Sequence, residues 1–126
     1  MIFKMAPATA KDCSPVDVAR FHQVLGNTKD EYCEILAEYF HQMNYSLQRL
    51  DAAVSTHDHR EVEMISHRCV GTSATCGMTA VVVPLRELES AGRRGCLDDA
   101  RPLFEKVTAG FENICAFLND YHPQPA

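Results

Sequence analysis

The chain has 126 residues, 46% hydrophobic and 23% charged, with a formal net charge of −5. That is room for one ordinary globular domain, and no apolar run approaches the ~20 residues needed to span a bilayer. The acidic balance excludes a basic nucleic-acid-binding face, and the short chain, which has no Walker-type phosphate loop, excludes a self-contained ATP-using kinase.

In chain order the periodicity predicts helices and nothing else. Residues 1–13 have no period and are expected to be flexible, as are residues 121–126. Ser14-Pro15 reads as a helix start, with serine as N-cap and proline at the first helical position. A short helix then runs from Val16 to Leu25, packing through Phe21, Val24 and Leu25, and Gly26 stops it. Thr28-Lys29-Asp30-Glu31 is a capping box. It opens an amphipathic helix of about 27 residues, roughly 40 Å long at 1.5 Å per residue. Its apolar stripe is Tyr32, Leu36, Tyr39, Met43, Leu47, Leu50 and Val54, widened by Ile35 and Phe40.

Asp58-His59-Arg60-Glu61 is a second capping box. The helix that follows turns Val62, Ile65, Cys69, Thr72, Ser73 and Cys76 inward and breaks at Gly77. A fourth long segment, from about Thr79 to Ala91, places Val81, Leu85 and Leu88 inward. Pro84 predicts a kink near its first turns. Gly92 and Gly95 bracket a basic turn, Arg93-Arg94. The last helix runs from about Asp98 to Asn119, with Phe104, Val107, Phe111, Ile114 and Leu118 as a bundle seam. Short connections make neighbours antiparallel, so the predicted fold is an all-α, up-down four-helix bundle over residues 14–120 with a short additional N-terminal helix.

Metal and redox readings find little support. The cysteines (Cys13, Cys33, Cys69, Cys76, Cys96 and Cys115) form no Cys-x-x-Cys pair, and with no signal peptide apparent they read as free, buried thiols in a reducing compartment. His57-Asp58-His59 reads as capping and loop residues rather than ligands. His22 and His41 stand singly, and no Glu-x-x-His pair repeats on two helices as a di-iron bundle requires. No metal and no cofactor are expected.

The chemistry lies on the third long segment. His67 to Gly77 is a poor helix former, with a mid-helix glycine and several β-hydroxyl residues, yet the apolar period runs through it. At ~100° per residue, His67 points away from the core direction. Gly71 and Ala74 share its outer face, and Glu63, Met64 and Val70 flank it. Glycine at i+4 leaves no Cβ beside the imidazole. A ring that another protein's active site must reach needs such clearance, and an exposed imidazole is a nucleophile toward phosphorus.

His67, Gly71, Thr72, Ser73 and Gly77 resemble the motif of the histidine-containing phosphotransfer (HPt) domain: histidine, two residues, lysine, glycine, serine, a small residue, and a glycine ten positions after the histidine. Threonine replaces the first serine, and the similarity extends from about Val16 to Leu118. The resemblance implies that His67 accepts a phosphoryl group from a receiver-domain phosphoaspartate of a hybrid histidine kinase and passes it to the receiver of a response regulator. It also implies that Glu89, 22 residues after His67, orients the imidazole through Nδ1. Met64, Arg68, Val70, Gly71 and Ala74 are expected to provide access and docking. The chain is then a monomeric, cytoplasmic phosphoryl carrier without kinase activity of its own, binding neither nucleic acid nor membrane, with Mg²⁺ only in the partner receiver. Val70 departs from the family pattern, which has lysine there. That leaves a second reading, a degenerate module that docks receiver or kinase domains without efficient transfer.

Overall fold

A computed structural model describes residues 14–121. Its elements are α1 (Val18–Leu25), α2 (Lys29–Ser55), α3 (His59–Thr75), a 3-10 turn (Thr79–Val81), α4 (Val82–Arg94) and α5 (Ala100–Asp120), with no strand among the described residues. The helices α2 to α5 form a ring in which α3 packs on α2 and α4, and α5 closes the ring against α4 and α2. The predicted all-α bundle is the observed fold.

The inward stripes follow the predicted periods closely. Tyr32, Tyr39, Met43, Leu47, Leu50 and Val54 of α2 are buried, as are Val107, Phe111 and Ile114 of α5, and Val81, Leu85 and Leu88 are fully enclosed. Val24 and Ile35 are exposed, and Leu36, Phe40, Phe104 and Leu118 are only half-buried.

Local chemistry fixes the helix ends. Thr28 and Glu31 form a complete capping box. Hydrogen bonds from the Thr28 and Asn27 backbone hold the Glu31 carboxyl below the usual carboxylate range. The predicted second box is half made. Asp58 accepts from the Glu61 amide, but the Glu61 carboxylate pairs with Arg49 of α2 at 2.9 Å instead. His57, at φ 58°, is the left-handed residue that ends α2. The Asp58 amide donates back to the Ala53 carbonyl at 2.9 Å, which closes a Schellman-type stop. The first helix starts at Val18 under an Asp17 cap rather than at Val16. Ser14 and Pro15 act as a strap instead: their carbonyls accept from Thr79 Oγ1 and the Ala80 amide.

Pro84 falls in the first turn of α4, directly after the 3-10 turn, where its missing N–H would have no partner in any case. Arg93 and Arg94 are helical, and the turn comes at Gly95, which is left-handed at φ 68°. Tyr121, expected to be flexible, is half-buried. It stacks on Phe117 and its hydroxyl bonds His22 Nε2 at 2.6 Å. The thiols also divide: Cys69 and Cys76 are buried and Cys115 partly so, and burial pushes all three thiols up. Cys33 and Cys96 are exposed rather than buried, and Cys13 lies outside the described residues.

Gly92 sets the distance between α3 and α4. A Cβ there would lie 2.6 Å from the Glu63 amide nitrogen and 2.7 Å from the His59 carbonyl oxygen, both backbone atoms. At Gly71 a Cβ would meet nothing within 4 Å. The same substitution therefore has opposite signs at the two positions. Gly92→Ala should destabilise by about 1–3 kcal/mol through overpacking, and Gly71→Ala should stabilise by up to ~1 kcal/mol through helix propensity. Urea denaturation of both variants against wild type checks the pair.

Candidate functional site

The second half of α3 is helical despite its composition because its hydroxyls find partners. Thr72 Oγ1 bonds the Arg68 carbonyl one turn back at 3.2 Å, and Ser73 Oγ meets the Tyr39 hydroxyl inside the bundle at 2.8 Å. The helix stops at Gly77. There φ is +79° and the Met78 amide returns to the Ser73 carbonyl at 2.8 Å. A Cβ on Gly77 would also lie 2.7 Å from the Asp17 carbonyl oxygen, and the Asp17 amide donates to the Gly77 carbonyl at 2.7 Å. One glycine thus both ends α3 and seats α1.

The buried arc of α3 is turned from the predicted one. Thr72 is exposed, whereas Ser66 is fully buried and Val70 is half-buried against the core. The reason is the second neighbour. A bundle helix is covered from two sides, and α4 covers α3 on the Ser66 and Val70 side. Val70, expected to be a flanking docking residue, is therefore a packing residue first.

His67 stands clear of this arc, with its side chain 76% exposed. Its Nδ1 lies 2.7 Å from Oε2 of Glu89, which is only 14% exposed. The same Oε2 accepts from Arg93 Nη2 at 3.0 Å, and Arg93 Nε donates to Glu63 Oε2 at 3.2 Å. Arg93 is always cationic, and a carboxylate ion-paired with it can only accept hydrogen bonds. Nδ1 therefore carries the proton of the His67–Glu89 bond. In the neutral ring this leaves the lone pair on Nε2, the nitrogen not engaged by Glu89.

Arg60, Glu63, Met64, His67, Glu89 and Arg93 line a shallow cleft between α3 and α4. Met64, half exposed, joins His67 there. Gly71 and Ala74 are exposed one and two turns on. Arg68 does not join them: it lines a separate depression toward α2, with Tyr39, Gln42 and Thr72. Sequence reasoning missed Arg60 and Arg93 as members of this cleft and gave Glu63 only a flanking place. The i,i+4 spacing of Glu89 and Arg93 was the available signal, hidden by reading Arg93 as part of a turn. Among the described residues, no group of three His, Cys, Asp or Glu side chains is placed to hold a metal ion, and no helix is long and apolar enough to cross a membrane.

Among the described residues Glu89 alone bonds Nδ1, so its removal should free the ring. In Glu89→Ala the ring-nitrogen NMR signals of His67 should change from a single Nδ1–H tautomer to a mixture, with helix content unchanged by circular dichroism. Glu89→Gln, whose amide oxygen still accepts, should keep most of the wild-type signature.

Comparison with curated proteins finds no match. A family model described as the Hpt domain matches residues 34–117. Domains of this family are phosphocarriers rather than kinases, and they work with receiver domains in two-component phosphorelays. The matched span begins early in α2, takes in His67 and Glu89, and ends within α5, so the chain belongs to the Hpt-domain family.

Proposed function

We propose that this chain is a working phosphoryl carrier, with His67 as acceptor and Glu89 as the residue that orients it. The observation that carries this reading is the imidazole itself: exposed, hydrogen-bonded to a carboxylate through Nδ1, and with Nε2 unbonded among the described residues. In the proposed step the Nε2 lone pair attacks the phosphorus of a receiver phosphoaspartate. The N–P bond forms as the P–O bond breaks, and the departing electron pair stays on the aspartate carboxylate. Nδ1 keeps its proton, and the Glu89 carboxylate balances the positive charge left on the ring. Return of the phosphoryl to the aspartate of a response-regulator receiver is the reverse step.

Gly71 keeps the approach to His67 open, and Met64 and Ala74 flank it as docking surface. The receiver supplies Mg²⁺ and the charge stabilisation of the transition state, with the chain acting as a cytoplasmic monomer. A second reading rests on Val70. The family's lysine is absent there and the valine packs on the core, which favours a module that docks receivers but transfers slowly.

Incubation with a phosphorylated receiver domain separates the two. Wild type should take up label that is acid-labile and alkali-stable, and His67→Gln should take up none while remaining helical. Gly71→Gln should bind the receiver weakly and transfer poorly, with little change in melting temperature. Label retained on His67→Gln would remove His67 from the acceptor role. Receiver binding without label on wild type would establish the docking reading.

A further inference from the structure

The cleft contains a residue that neither the motif nor the proposed step uses. One edge of the Arg93 guanidinium spans two carboxylates on two helices. Its Nη2 reaches Glu89 Oε2 of α4 at 3.0 Å and its Nε reaches Glu63 Oε2 of α3 at 3.2 Å. Glu63 lies one turn before His67, and Glu89 returns to His67 Nδ1 at 2.7 Å. The bonds therefore run from α3 through Arg93 to α4 and back to α3, closing on the imidazole. We propose that Arg93 is a positioning residue for the phosphoryl-accepting histidine: it holds the Glu89 carboxylate where His67 Nδ1 must donate to it.

Three observations support this. First, Arg93 and His67 are bonded to the same oxygen of Glu89, so the contact that orients the ring and the contact to Arg93 share one acceptor. Second, the Arg93 side chain is 61% exposed, and surface ion pairs contribute little to stability. Loss of the contact should therefore leave the fold intact and be read at the ring. Third, the arrangement needs a planar fork. Arginine presents two N–H vectors along one edge, whereas the lysine ammonium is a single point. Among the described residues no other Arg or Lys is bonded to Glu89: Arg60 lines the cleft without such a bond, Arg68 faces the α2 side, and Arg49 of α2 pairs with Glu61.

The inference rests on the carrier reading above for its functional consequence, but its geometric core is tested without phosphorus. In Arg93→Gln, ring-nitrogen NMR of His67 should show the Nδ1–H signature giving way to a tautomer mixture. The saturating rate of phosphoryl uptake from a phosphorylated receiver should fall several-fold, with the half-saturating receiver concentration little changed. Arg93→Lys should restore part of both signals, since its ammonium reaches Glu89 but not both carboxylates together. Glu63→Gln, which frees one end of Arg93, should lie between wild type and Arg93→Gln and serves as the second variant should Arg93→Gln fold poorly. A wild-type tautomer signature in Arg93→Gln, or in Glu63→Gln if that is the variant that folds, overturns the proposal and leaves His67 as acceptor untouched. A raised half-saturating concentration with unchanged tautomer also overturns it, by making Arg93 a docking residue. Absence of label on wild type counts against the carrier reading alone, because the tautomer comparison stands without it.

Discussion

The contact on which the site depends is the approach of α4 to α3 at Gly92. The backbones come close enough there that even a methyl group would overlap the Glu63 amide and the His59 carbonyl. Because the two helices are this close, Glu89, one turn before Gly92, can reach across to the imidazole of His67, and Arg93, the next residue, can reach Glu63. A wider spacing would leave Glu89 and His67 on separate surfaces. The rest of the bundle holds that crossing in place: α2 and α5 close the ring behind it, and α1, seated on Gly77, secures the far end of α3.

The site divides labour along physical lines. The buried side of α3 is ordinary core, with Val62, Ile65, Cys69 and Ser73 enclosed. On the proposed function, the exposed side presents His67 as the reactive group, with Gly71 leaving its approach open and Glu89 holding it. Glu89 holds the ring, and it can do so because it is largely withdrawn from water, where a charge-assisted bond is worth more than on an open surface. The chain offers the phosphoryl no metal cluster among the described residues. On the proposed function, the chain contributes a positioned nucleophile and the receiver supplies the electrostatics of transfer.

Much of this was legible in the sequence, for identifiable reasons. Helix number and order came from periodicity that persists over long stretches, as in the Tyr32 to Val54 stripe. His67 and Glu89 were found through a motif and an offset. What escaped was set by contacts between helices. Val70 looks outward when α3 is drawn with a single core direction, and Ser66 found no place in that core, but α4 covers that flank. Gly92 reads as a turn residue because glycine usually breaks helices, and nothing in one sequence says that a second backbone lies against it. Arg93 followed the same error. Glu61 matched a capping box, but a nearby arginine on α2 competed for its carboxylate and won it. Tyr121 read as part of a flexible terminus, but His22, far away in sequence, gives its hydroxyl a partner.

The central claim is that phosphorus bonds to one particular nitrogen. Phosphorus NMR of protein carrying nitrogen-labelled histidine, after incubation with a phosphorylated, Mg²⁺-loaded receiver domain, tests it directly. The account predicts a single phosphohistidine, with phosphorus coupled to Nε2 of His67 and Nδ1 still protonated. Phosphorus on Nδ1, or on a residue other than His67, would contradict it.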